Sequence, residues 1–190
     1  MSATLPPAFL GTNIAVCWLS DVTSAEGNQH ARWTVLHDIA DIGAGFAVSV
    51  SPPDGADHHV ADLEGVPYRL RTFQQGPYVA DSSPESEFVL AVALYVPDDT
   101  SRIDCRRWLD EEHARRQLEV AGTHWYAGYE SAAGPFNFLN LWGLQKPEVI
   151  ATEAWAAARD TPWRTRLLNE GIVHTRRALF GRASEGVASA

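Results

Sequence analysis

His113 stands in the sequence context best suited to acid–base chemistry. A spacing of four separates it from Leu109, and the same spacing separates Leu109 from Cys105, so the three side chains share one face of a predicted helix. An imidazole on the inner face of a helix can take a proton from a carbon acid or a phenol near neutral pH. We therefore predict His113 as the general acid or base, with a core histidine satisfied by a backbone carbonyl or by Glu112 as the alternative.

Two further catalytic side chains are predicted, Tyr126 and His37. The hydroxyl of Tyr126, or that of Tyr129, could donate a hydrogen bond to an oxyanion formed from the substrate. His37 is the matching histidine in the first half of the chain, with packing as its alternative role. The histidines lack metal-ligand spacing, and no dinucleotide fingerprint occurs, so we predict neither a metal nor an organic cofactor. Haem stays open, because one axial histidine leaves no spacing signature.

Aromatic side chains close to the predicted helix favour an apolar cleft. An antiparallel sheet with helices on one face leaves space for a small ligand where its cover is incomplete. Aromatic walls suit a flat apolar ligand such as a phenol, a quinone or a polyketide ring, and core packing is the alternative role for the same residues. The predicted substrate-binding residues are Trp108, Trp125, Tyr129, Phe138 and Trp142.

Charge and composition argue against several classes of partner. The net charge of −9 over 190 residues disfavours nucleic acid and anionic membrane surfaces, since both require a basic footprint. No apolar run approaches the roughly 20 residues of a membrane span, and the first residues lack the pattern of a secretory signal. We expect a cytoplasmic protein whose partner is a small apolar or aromatic ligand.

The elements that position these residues follow the order β-α-β-β-α-β in the second half of the chain. The helix that carries His113 ends at Gly122, where a residue without Cβ can take a positive φ. Pro147 is suited to the first turn of a second helical region. The order predicts a ferredoxin-like α+β fold, an antiparallel sheet with helices on one face. The predicted strands of this half are 88–96, 123–130, 136–144 and 172–180.

The first half predicts a degenerate copy of this unit. We place the degenerate half in residues 1–82 and the complete ferredoxin-like domain in residues 83–190. Helical spacing of apolar residues predicts a helix over 28–42, and the order of Trp33 and His37 within it echoes the Trp and His of the later helix. The predicted strands of the first half are 14–19, 46–50 and 68–73.

The second half resembles the dimeric α+β barrel superfamily. The resemblance is carried by Trp108 through His113, the small-residue turn Val120-Ala121-Gly122, the aromatic strand that follows, Leu141-Trp142-Gly143-Leu144, and the helix led by Pro147. EthD-like proteins and small polyketide cyclases are the members it most resembles. The resemblance implies two sheets packed face to face, here as a tandem repeat within one chain, and it allows a homodimer of such chains.

The superfamily also contains isomerases, small quinone-forming monooxygenases and haem-degrading enzymes, so the resemblance is poorly specific for function. We expect a cofactor-independent enzyme on an aromatic or polyketide-like molecule, acting as a lyase, isomerase, cyclase or cofactorless oxygenase. The alternatives are a non-catalytic ligand-binding or accessory protein and a haem-binding or haem-degrading protein.

Overall fold

The computed structural model describes residues 14–18, 33–38, 46–50, 66–77, 86, 88–132 and 135–182. Within the first half it shows four strands. They are β1 (Ile14–Trp18), β2 (Trp33–Asp38), β3 (Phe46–Val50) and β4 (Val66–Gln75).

The second half contains four more strands, joined by helical segments in the predicted order. Its first strand is almost wholly apolar and buried along most of its length, as a central strand covered on both faces requires. No helix in the described part of the chain is long and apolar enough to cross a membrane. In chain order the elements are β5 (Phe88–Tyr95), α1 (Asp99–Trp108), a π-helical turn (Leu109–His113), α2 (Ala114–Leu118), β6 (Thr123–Glu130), β7 (Phe138–Leu144), a 3₁₀ turn (Pro147–Ala151), α3 (Glu153–Arg159), α4 (Pro162–Glu170) and β8 (His174–Arg182).

All eight strands join one sheet in the order β2-β8-β5-β7-β6-β4-β1-β3. The run β8-β5-β7-β6 places the fourth, first, third and second strands of the second half side by side, which is the ferredoxin-like arrangement. The predicted ferredoxin-like α+β class is confirmed. The run β4-β1-β3 repeats the same order in the first half, and β2 lies beyond β8 at the other end.

The two end strands of this order, β2 and β3, also contact each other. The sheet therefore curls until its edges meet, as a sheet that closes into a barrel must. With this contact the strands of the first half follow one another around the ring as β4-β1-β3-β2. In both halves the order is therefore fourth, first, third and second strand, as in β8-β5-β7-β6. The division into residues 1–82 and 83–190 stays a prediction, and its boundary near Ser82-Ser83-Pro84 lies outside the described residues.

The predicted helix over 28–42 is wrong in its centre, because Trp33–Asp38 forms strand β2. This strand pairs antiparallel with β8, from Trp33 opposite Arg182 to Asp38 opposite Ala178. Its aromatic and β-branched residues suit a strand, and the hydrogen bonds of the pairing override an apolar spacing that also fits a helix. The first half thus supplies a strand where a helix was expected.

The sheet of the second half has two buried faces. The helix face carries Leu90, Tyr126, Trp142 and Leu179, which pack against the helices. The opposite face, here called the barrel face, lies on the inside of the curl. Its buried cluster includes Tyr68, Val89, Ala91, Ala93, Trp125, Ala127, Tyr129, Leu139 and Leu141.

Gly143 in β7 marks how tightly the barrel face is packed. A Cβ at this position would lie 2.1 Å from the indole ring of Trp125. That separation is far below a van der Waals contact, so the neighbouring indole occupies the space that a side chain would need. The packing assigns Trp125 to the barrel face.

Candidate functional site

A π-helical turn brings His113 onto Trp108. The backbone N–H of Ala114 donates to the carbonyl of Leu109, five residues earlier, as a π-helical turn requires. In a regular α-helix, residues five apart point about 140° away from each other. The wider turn puts them on one side, and the two rings stack with centres 4.3 Å apart and planes inclined by 23°.

Trp142 of β7 forms the second wall around His113. Its ring meets the imidazole edge to face, with centres 5.4 Å apart and planes at 86°. Trp155 of α3 packs edge to face against Trp142, with ring centres 5.9 Å apart. The ring centre of Tyr126 lies 4.4 Å from that of Trp142. Offset and edge-to-face geometries are the favourable arrangements for aromatic rings, so the imidazole is held in a defined orientation.

A cavity of about 100 Å³ lies beside His113, between the helices and the helix face of the sheet. We call it the helix-side cavity. An engineered protein cavity of about 150 Å³ binds benzene, so this smaller one limits a ligand to about one small ring, and a larger ring system requires side chains to move. One end is apolar and aromatic, and the other is basic. Its lining includes Leu90, Val92, Trp108, His113, Asn140 and Trp142, together with Trp155, Arg159, Arg164 and Arg177.

The imidazole of His113 is neutral at physiological pH. Burial lowers its pKa from 6.5 to about 3, and repulsion from Arg164, Arg159 and Arg177 adds to the shift. The Nδ1 atom is buried and makes no hydrogen bond with any residue that the structure describes. The expectation of a near-neutral pKa is therefore wrong. A neutral ring with an unused nitrogen is a hydrogen-bonding group and a weak base.

Tyr126 is committed to a hydrogen-bond network on the helix face. Arg71 Nη2 donates to its phenolic oxygen at 3.0 Å, and the tyrosine hydroxyl donates to Asn140 Oδ1 at 2.7 Å. A guanidinium only donates, so the tyrosine proton must point towards Asn140. Burial, the largest cause, raises the pKa of Tyr126. The hydroxyl thus orients Asn140 and is not free to hold an oxyanion.

Asn140 is the polar group that this network presents to the cavity. Its Nδ2 donates to the carbonyl of Val92 at 3.3 Å, and its Oδ1 is occupied by Tyr126. A primary amide has two N–H donors, which leaves one for a ligand. Behind the network, Arg71 forms an ion pair with Asp110 of the π-helical turn, so the strand and the turn that carries His113 are tied together.

The structure brings together only part of the predicted substrate-binding set. Trp108 and Trp142 line the helix-side cavity with His113. Phe138 is on the helix face but packs in the neighbouring cluster, with Cys105 and Leu109. Trp125 and Tyr129 are buried on the barrel face and are separated from His113 by the sheet. His37 lies in β2, and its side chain lies outside the described part of the structure.

Several cavity residues escaped prediction from the sequence. Asn140 lies two residues from both Phe138 and Trp142 in β7, so the sequence places it on their face of the strand, but an amide carries no catalytic signature. Arg177 was visible only as part of an Arg-Arg pair in the last strand. Arg159 and Arg164 come from two different helices, and only the folded chain places them beside β8.

A haem group does not fit the helix-side cavity. Both ring neighbours of His113 are indoles in direct contact, and the space beside it suits one small ring. A porphyrin is several times larger than benzene, for which a cavity of about 150 Å³ suffices. Within the residues that the structure describes, no group of three His, Cys, Asp or Glu side chains is arranged to hold a metal ion.

Comparison of the sequence with models of protein families and with curated proteins gives no match. Comparison of the structure with solved structures does give matches.

A ferredoxin-fold protein of Listeria monocytogenes, described as related to antibiotic biosynthesis monooxygenases, is similar with a TM-score of 0.52 at 11% identity, over 93% of this chain and 97% of that one. An anthrone oxidase-like protein is similar with a TM-score of 0.52 at 10% identity, over 90% of this chain and 91% of that one. A regulator of staphylococcal pathogenesis has a TM-score of 0.53 at 8% identity, over 90% of this chain and 99% of that one.

At these identities the likeness concerns the fold. It does not single out EthD-like or polyketide-cyclase-like proteins. The chain therefore has a ferredoxin-like α+β fold.

Proposed function

We propose that the chain is a cofactor-independent enzyme that acts on a small aromatic molecule, with His113 as the group that accepts a proton from the substrate. One observation carries the proposal: a neutral imidazole with an unused nitrogen lines a largely apolar cavity, held between Trp108 and Trp142. An apolar pocket with a few convergent polar groups is the usual form of a small-molecule site.

The chemistry that this arrangement supports is removal of a proton from an acidic O–H or C–H group attached to an aromatic ring. The proton moves to the imidazole, and the negative charge stays on the substrate. Asn140 can donate one hydrogen bond to that charge, and the arginines at the basic end stabilise it through space. Lyases, isomerases, cyclases and cofactorless oxygenases share such a first step, and in the oxygenase case dioxygen is the second reactant.

The alternative is a protein that binds a small ligand without converting it. The low pKa of His113 favours this alternative, because a general base works best when its pKa lies near the working pH. The hydrogen bonds of the Tyr126 hydroxyl to Arg71 and Asn140 also favour a binding protein, because they leave no tyrosine proton to donate to a substrate.

Measuring turnover of a panel of phenols and anthrones by the purified protein distinguishes an enzyme from a non-catalytic binding protein. We expect His113→Asn to lower kcat by about a hundredfold or more, the usual contribution of a general acid or base, with little change in KM. His174→Asn is the matched control, because His174 is exposed at the start of β8 and does not line the cavity. Full turnover by a folded His113→Asn variant would refute the role of His113. Ligand binding by the wild type without any product would support the alternative.

A further inference from the structure

Three arginine side chains converge on one end of the helix-side cavity. Arg159 comes from the end of α3, Arg164 from α4 and Arg177 from β8. The side chains of Arg159 and Arg164 are only 31% and 17% exposed. Three permanently charged groups in one partly buried position repel one another, so a negative partner is needed to stabilise them.

The protein supplies too little negative charge at this position. Asp160 is the one described carboxylate in reach, 3.1 Å from Nε of Arg159 and 3.0 Å from Nη1 of Arg164. Its side chain is 55% exposed, so water weakens its effect on both. Within the described residues, no carboxylate pairs with Arg177. Burial and repulsion from Arg159 both lower the pKa of Arg177, as expected for a charge without a partner.

The position of Arg177 places this charge opposite the aromatic end of the cavity. Val92 of β5 pairs with Asn140 on one side and with Arg177 on the other, so the three residues form one row on the helix face. With strands about 4.8 Å apart, the backbone of Arg177 is roughly 10 Å from that of Asn140. A ligand between them meets the amide and the indoles at one end and guanidinium groups at the other.

We propose that Arg177, with Arg159 and Arg164, binds the carboxylate of an aromatic acid whose ring lies against Trp108 and Trp142. The position of the ring rests on the proposed function, whereas the carboxylate site rests on the arginines alone. The planar fork of a guanidinium matches a carboxylate with two parallel hydrogen bonds, and the volume of about 100 Å³ restricts the ligand to a single ring.

Such a ligand would also change His113. Burial is the larger cause of the lowered pKa of His113, and a negative charge among the arginines would offset the smaller one, their repulsion of a proton on the imidazole. The acid group of the substrate would then help to activate the base beside it, and an uncharged analogue would lack this effect.

Equilibrium binding of benzoate and of benzamide at pH 7.5 tests the carboxylate site, because the two probes share a ring and differ in charge. We expect the wild type to bind benzoate at least about tenfold more tightly than benzamide, the usual advantage of charge-assisted hydrogen bonds. Arg177→Gln should reduce this ratio to near one. Arg115→Gln is the matched control, since Arg115 is 77% exposed on α2, outside the cavity, and should leave the ratio unchanged.

Equal binding of the two probes by the wild type, including failure of both to bind at millimolar concentration, would overturn the proposal. Retention of the preference in folded Arg177→Gln would overturn it as well. If Arg177→Gln does not fold, Arg159→Gln takes its place under the same criteria. His113→Asn should keep the benzoate preference, so unchanged turnover in that variant together with an intact preference would refute the proposed function and leave the carboxylate site standing.

Discussion

Protonation of His113 should make the folded protein less stable at acidic pH. The perturbation is a change from pH 7 to pH 5, compared between the wild type and His113→Phe, which keeps an aromatic ring on Trp108 but cannot titrate. The pKa of His113 is lowered to about 3 in the folded protein, whereas 6.5 is its ordinary value. Between these two values the unfolded chain binds a proton that the folded chain does not, so stability falls as the pH falls.

The magnitude follows from the two pKa values. At pH 5 the folded imidazole is still neutral, and the loss depends only on how far pH 5 lies below the unfolded value. At about 1.4 kcal/mol for each pH unit, the wild type loses about 2 kcal/mol of unfolding free energy between pH 7 and pH 5 through this one group. Titration of the other histidines and of the carboxylates is common to both proteins and cancels in the difference.

Urea denaturation at both pH values, followed by tryptophan fluorescence, measures the effect. We expect the wild type to lose about 2 kcal/mol more than His113→Phe between pH 7 and pH 5. Equal losses in the two proteins would show that the imidazole takes up a proton as easily in the folded state as in the unfolded state. The account of a half-buried, neutral His113 beside three arginines would then be refuted.

Two predictions concern the packing around the site. Tyr126→Phe should lower the free energy of unfolding, measured by urea denaturation, by about 1–3 kcal/mol, because Arg71 and Asn140 both lose a buried partner. The control Tyr95→Phe should lower it by almost nothing. Equal losses in the two variants would contradict the hydrogen-bond network. Gly143→Ala should cost about 3 kcal/mol, the upper end of the usual range for overpacking, because the new Cβ would lie 2.1 Å from an indole. In the control Gly171→Ala the nearest atom is 3.2 Å away, so similar melting temperatures for these two variants would show that the barrel face has room to spare.

The fold of the second half could be predicted because its signals are local and agree with one another. The apolar run that became β5, the helix that follows it and the glycine at its end each predict one element without reference to the rest of the chain. Gly122 does take a positive φ of 88°, but it lies in the turn before β6, because the helix already ends at Leu118. The order of such elements is enough to indicate a ferredoxin-like unit.

The segment around His37 could not be predicted in the same way. Its apolar residues fit a helical spacing and a strand about equally well, and the choice depends on β8, which lies more than a hundred residues further along the chain. Long-range pairing of this kind leaves no mark in the local pattern. The identical order of strands in the two halves requires β2 to be a strand.

The candidate site shows a similar division. The inward direction of His113 followed from its spacing to Leu109, and Trp142 followed from alternation along β7. The pKa of His113 did not follow, because it is set by burial and by arginines from three separate elements. The role of Tyr126 did not follow either, since its hydroxyl is taken up by Arg71 and Asn140, which only the fold places next to it.

The π-helical turn lets the chain carry one additional residue without separating the stacked pair. It accommodates one residue more than a continuous α-helix would need between Trp108 and Ala114. Deleting a single residue between Trp108 and His113 would restore a regular α-helix in which the two are four apart and point only about 40° away from each other. The two rings would then remain on one side of the helix. A variant of unchanged length that closes the turn into a regular α-helix would instead point them about 140° apart, although neither residue had been replaced.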